Sequence, residues 1–140
     1  MVVVFLQFCI VFFIIQESYA TMNDRTATIK EIQDKVTRFV EERNWRQFHS
    51  PLNMAINLSV EASELLEIFT WSDKEKSYKV VEDKRDAIEN EVADILYNLV
   101  DFCKQSNIDL AAAFEKKMQL NEKKYPVEKS YGSEKKYTEL

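Results

Sequence analysis

The chain has 140 residues, a formal net charge of −5, one glycine (Gly132) and two prolines (Pro51 and Pro126). Phosphate-cradling loops, dinucleotide fingerprints and tight β-hairpins need glycine for positive φ or close backbone approach, so a chain of this composition that handled phosphates would have to hold them with side chains or metal ions. The acidic balance argues against a nucleic-acid polymer as partner, and a single histidine, His49, excludes sites built on several imidazoles.

Residues 1–21 form an apolar leader. The run from Val2 to Ile15 is interrupted only by Gln7 and leads to Ser18-Tyr19-Ala20, a small-x-small pattern similar to a signal-peptidase site. It is short for a membrane-crossing helix, so no stable span is expected, and no Lys or Arg precedes it. Two readings compete: a secretory or membrane-targeting signal, or translation that starts at Met22. Loss of Cys9 with the leader leaves Cys103 without an intramolecular disulfide partner. The expectation is therefore a start at Met22 and a cytoplasmic protein, with a secreted or membrane-targeted one as the alternative.

From residue 22 to 126 the pattern predicts one all-α domain. Thr28 and Glu31 form a capping box, and Ile29, Ile32, Val36, Phe39 and Val40 recur at helical spacing up to about Asn44. A connector follows, with Trp45, Phe48 and His49 in it. Ser50-Pro51 starts a second helix reaching Trp71. The polar stretch Ser72 to Ser77 reads as a break, Glu82 to Gln105 as a third helix, and Asp109 as the cap of a fourth, from Leu110 to Tyr125, which Pro126 stops. This is a four-helix bundle with a short helical connector. Residues 127–140 read as an extended polar tail, free to close over a ligand or to pack on a neighbouring subunit.

Two helices carry carboxylate pairs. Glu61 and Glu64 are three apart, as are Glu91 and Asp94, so each pair leaves one side of its helix. At about 100° per residue, Glu61 falls among Met54, Leu58, Leu65 and Ile68, on the stripe that faces the core, and Glu64 lies at its edge. On the third helix Ile88, Ile95, Leu99 and Phe102 mark the buried side, with Glu91 on its margin and Asp94 and Asn98 beside it. Most such pairs in proteins are solvated faces. Here burial and mutual repulsion both demand a counter-charge, and neither stripe repeats a Lys or Arg. Oxygen-only ligands favour Mg²⁺ or Mn²⁺. A carboxylate-bridged metal oxidase is a competing reading, although it normally draws on Glu-x-x-His, which is absent. A non-enzymatic helical interaction module is the third.

Glu61-Ala62-Ser63-Glu64-Leu65, the following Phe69-Thr70-Trp71, and Glu91-Val92-Ala93-Asp94 resemble the paired motifs of the MazG-like all-α nucleoside triphosphate pyrophosphohydrolases. Asn44-Trp45-Arg46-Gln47-Phe48-His49, the stretch from Lys117-Met118 through Asn121 to Lys124-Tyr125-Pro126, and Lys136-Tyr137-Thr138-Glu139-Leu140 are similar to the dCTP pyrophosphatase branch. The resemblance spans residues 28–140. It implies hydrolysis of a (deoxy)nucleoside triphosphate, dCTP or a modified pyrimidine analogue, to monophosphate and pyrophosphate, in a homodimer or homotetramer.

By the same resemblance Glu61, Glu64, Glu91 and Asp94 bind Mg²⁺, and Glu61 or Glu64 orients the attacking water. Lys117, Asn121 and Lys124 contact phosphate oxygens, and Trp45, His49 and Trp71 meet the base. Each has an ordinary alternative. Lys124 complements its own helix dipole, tryptophans beside a long helix pack, and a lone histidine caps or satisfies a core hydrogen bond. Asn98 stands where the animal dCTP-specific relatives are expected to carry tyrosine, which bears on base preference rather than on the reaction.

Overall fold

The computed structural model describes residues 22–139, so the leader expected at residues 1–21 lies outside the described residues. The first helix, α1 (Ile29–Glu42), begins where its capping box puts it. The Thr28 hydroxyl accepts from the Glu31 amide at 3.2 Å, and the Glu31 carboxylate accepts from the Thr28 amide at 2.7 Å. Asn44, at φ 52°, then turns the chain into a 3₁₀ turn at Trp45–Gln47. Asparagine tolerates this left-handed conformation better than most side chains.

Helix α2 (Pro51–Ile68) starts on Ser50, whose hydroxyl accepts from the Asn53 amide at 3.1 Å. It is followed by α3 (Lys74–Asp83) and, after the single non-helical residue Lys84, by α4 (Arg85–Gln105). Left-handed Asn107 closes α4, with the Ile108 amide donating to the Cys103 carbonyl at 2.8 Å. Asp109 caps α5 (Leu110–Lys124) through the Ala112 amide at 2.9 Å. A short α6 (Val127–Ser130) and a 3₁₀ turn at Tyr137–Glu139 are the last elements described, and every regular element among the described residues is helical.

The structure corrects three element boundaries. Helix α2 stops at Ile68 instead of Trp71, the stretch read as a break from Ser72 to Ser77 holds the start of α3, and the helix expected from Glu82 begins at Arg85, with Glu82 and Asp83 closing α3. Asp73 supplies the cap, accepting from the Lys76 amide at 2.9 Å, and Lys79 pairs with Asp83 at 3.2 Å. Local side-chain bonds of this kind support a helix whose residues are at most half-buried, as Val80 and Val81 are. The tail also folds back: Tyr137 meets Tyr125 edge-on at 5.9 Å between ring centroids.

The core is small. Val36, Val40 and Val100 are buried against Ile32, Tyr97 and Leu110, and Met54 and Cys103 are buried as well. Ile29 and Phe39, expected on the buried stripe of α1, are exposed. Phe39 packs sideways instead, with the Arg43 guanidinium 3.7 Å above its ring and Trp45 and Tyr97 edge-on at 5.8 and 6.1 Å. Helices α2 and α4 make the main interhelical contact and run antiparallel. His49, just before α2, meets Asp101 near the end of α4, whereas Glu61 and Glu64 meet Glu91 near its start.

Candidate active site

Where α2 and α4 cross, Glu61, Glu64 and Glu91 each bring a carboxylate oxygen within 4.8 Å of the others. Glu61 and Glu91 are half-buried and Glu64 is exposed. Asp94, one turn beyond Glu91, is exposed and lies outside that trio, yet its charge acts on Glu61. Partial burial, then the charges of Glu64, Asp94 and Glu91, raise the Glu61 carboxyl above its ordinary range. Among the described residues no Lys, Arg or His pairs with any of the four. A cluster of hard oxygen donors with no protein counter-charge is the chemistry that fits a hard divalent cation.

A second polar group lies toward the other end of the same helix pair. Asp101 is fully buried; its Oδ1 accepts from Arg46 Nη1 at 2.7 Å and its Oδ2 lies 2.6 Å from His49 Nδ1. This holds the connector onto α4 and leaves Trp45 exposed at 41%, its ring 6.4 Å from the imidazole at a 40° tilt. Arg46 Nη2 is buried without a partner among the described residues. Asp101 and the role of Arg46 escaped sequence reasoning. The available signal was Asp101 at the next step of the 91, 94, 98, 101 spacing along one face of α4.

The remaining expected residues are placed differently. Asn98 is buried and its Nδ2 donates to the Asp94 carbonyl at 2.9 Å, so its side chain is engaged within its own helix. Lys117, Asn121 and Lys124 share a face of α5, which is exposed from Ala111 to Leu120. Neither lysine pairs with the carboxylate cluster, and Lys124 Nζ sits 4.9 Å above the Tyr137 ring. The one histidine is held by Asp101 and stands outside the carboxylate trio, which removes the imidazole that a metal oxidase would draw on.

Trp71 is 97% exposed and takes φ 70°. A bulky side chain in the left-handed region costs about 1–2 kcal/mol, and here no packing offsets it. Trp71→Gly should therefore raise the unfolding free energy of the free chain by about 1 kcal/mol. Thermal melts check this, and a destabilised variant would contradict the strain.

The sequence from 56 to 140 matches the MazG-like family. The chain is 39% identical to dCTP pyrophosphatase 1 of Rattus norvegicus over 115 residues, spanning 81% of this chain and 68% of that protein. Identity to dCTP pyrophosphatase 1 of Homo sapiens is 36% over the same shares. A solved pyrophosphatase structure from Archaeoglobus fulgidus superposes with a TM-score of 0.69 at 34% identity, covering 76% of this chain and 99% of that one. An all-helical bundle with paired acidic motifs on two crossing helices defines the class, and the chain belongs to the MazG-like family.

Proposed function

We propose that this chain is a nucleoside triphosphate pyrophosphohydrolase, taking dCTP or a modified pyrimidine analogue to the monophosphate and pyrophosphate. The observation that carries the reading is the convergence of Glu61, Glu64 and Glu91 without a protein cation, in a chain similar over most of its length to proteins named dCTP pyrophosphatase 1. Glu61, Glu64, Glu91 and Asp94 would hold Mg²⁺, or Mn²⁺. When bound, such ions neutralise phosphate oxygens and make water more acidic.

The chain's own groups do the rest. A carboxylate oxygen of Glu61 or Glu64 orients the attacking water and takes its proton. The water oxygen bonds to the α-phosphorus, and the bond to the oxygen bridging the α- and β-phosphorus breaks, releasing pyrophosphate. Trp45 offers an exposed aromatic face to the base, with Trp71 as a second. Domain and tail divide near residue 126 in this reading, and a cytoplasmic setting suits the free, buried thiol of Cys103. Among the described residues no helix is long and apolar enough to cross a membrane.

Assembly is part of the proposal. Leu52, Ile56 and Val60 form an exposed stripe at four-residue spacing on α2, and Phe114 and Met118 form another on α5. Ile56 and Val60 line an open groove beside Glu64. Exposed apolar stripes of this kind support an interface between copies, and a second copy is the partner that would bring Lys117, Asn121 and Lys124 to a triphosphate. Sedimentation at micromolar concentration should show a dimer or tetramer; a stable monomer would contradict it.

The direct test is a panel of deoxynucleoside triphosphates with Mg²⁺, scored for pyrophosphate. Release from dCTP, lost on removal of the cation, is expected. Orthophosphate as the product, or turnover that survives chelation, would overturn the proposal.

A further inference from the structure

The accessible edge of His49 has a chemistry fixed by what lies behind it. Asp101 is fully buried, with Arg46 Nη1 donating to its Oδ1 at 2.7 Å, and its Oδ2 faces His49 Nδ1 at 2.6 Å as an acceptor. Nδ1 must then carry the proton. The His49 side chain keeps 13% of its surface accessible. Nδ1 is turned inward to Asp101, which leaves Nε2 as the ring nitrogen without that partner, on an imidazole beside the exposed ring of Trp45.

The same face of α4 continues to the carboxylates. Asp94 and Asp101 are seven residues apart, about 10 Å along the axis. A nucleotide with its phosphates at Glu91 and Asp94 that extends along this face reaches toward Trp45 and His49.

We propose that Asp101 is a positioning residue for base recognition: by holding the proton of His49 on Nδ1, it leaves Nε2 free to accept a hydrogen bond from the exocyclic amine of a cytosine-type base. This rests on the pyrophosphohydrolase reading. A keto pyrimidine presents an oxygen at that place, which faces the Nε2 lone pair without a proton between them, and a site built around one hydrogen bond rejects the analogue that lacks it.

Asp101→Asn reverses the polarity. Arg46 keeps the remaining oxygen, the new amide nitrogen faces Nδ1 as a donor, and the imidazole proton moves to Nε2, where it suits a keto oxygen.

His49 is the one histidine in the chain, so its ring nitrogens are assigned without ambiguity by nitrogen NMR of the intact protein, well above the imidazole's titration range. The wild type should carry its proton on Nδ1 and Asp101→Asn on Nε2. The ratio of kcat/KM for dCTP over dUTP should fall about tenfold or more in the variant. A wild-type imidazole protonated on Nε2, or an unchanged ratio in a folded variant, would overturn the role of Asp101. Should the variant fail to fold, the wild-type spectrum still decides. Absence of pyrophosphate release from every triphosphate would instead overturn the underlying function, leaving the tautomer result to stand or fall alone.

Discussion

Glu61→Gln is expected to lower kcat for pyrophosphate release by about a hundred- to ten-thousand-fold, the range for removing a positioned general base, while making the metal-free chain more stable. Both effects have one origin. In the folded chain partial burial and three neighbouring carboxylates raise the Glu61 carboxyl. Its ionised form is therefore disfavoured relative to the unfolded chain, and its contribution to stability falls as pH rises through the raised value. A neutral amide removes that penalty at neutral pH and removes one of the proposed metal ligands with it. Wild-type protein with Mg²⁺ at a hundred times Kd should gain about 2.7 kcal/mol, and the variant much less. Melts with and without the cation, run beside kinetics, read all three quantities. Intact turnover with unchanged stability is what an ordinary acidic surface would give, and it would sink the metal site.

The largest stability loss is expected from Asp101→Ala, about 2–4 kcal/mol. The carboxylate is fully buried and holds two donors; its removal strands the Arg46 guanidinium and the His49 Nδ1–H against α4. The figure sits toward the lower part of the range for broken buried pairs because the Arg46 side chain keeps 30% exposure and recovers some hydration. Urea unfolding should show a lower midpoint at an unchanged slope. A double-mutant cycle with Arg46→Ala should then return a coupling of about 0.5–3 kcal/mol. A shift near zero in both would mean that the contact is incidental to the fold.

The parts of the molecule legible in the sequence are those whose causes are local. Thr28 with Glu31, Ser50 with Pro51, and Asp109 announce helix starts because a cap and its amide lie within three residues. The pairs Glu61/Glu64 and Glu91/Asp94 stand out because helical period alone sets them against the apolar stripe, and three of these four carboxylates do converge. Helix α3 escapes the reading because its first turns, capped by Asp73, lie in the polar stretch from Ser72 to Ser77. Asp101 escapes it for another reason: its partners Arg46 and His49 lie 55 and 52 residues away, and only the antiparallel packing of α2 and α4 brings them together. The expected roles of Lys117, Asn121 and Lys124 depend on surfaces that one copy of the chain leaves open.

The central claim is that water attacks the α-phosphorus of a nucleoside triphosphate held at the carboxylate cluster. Hydrolysis of dCTP with Mg²⁺ in water enriched in the heavy oxygen isotope, followed by mass spectrometry of both products, tests it directly. Label in dCMP with unlabelled pyrophosphate is the predicted result. Label in pyrophosphate, or dCDP and orthophosphate as products, would contradict it.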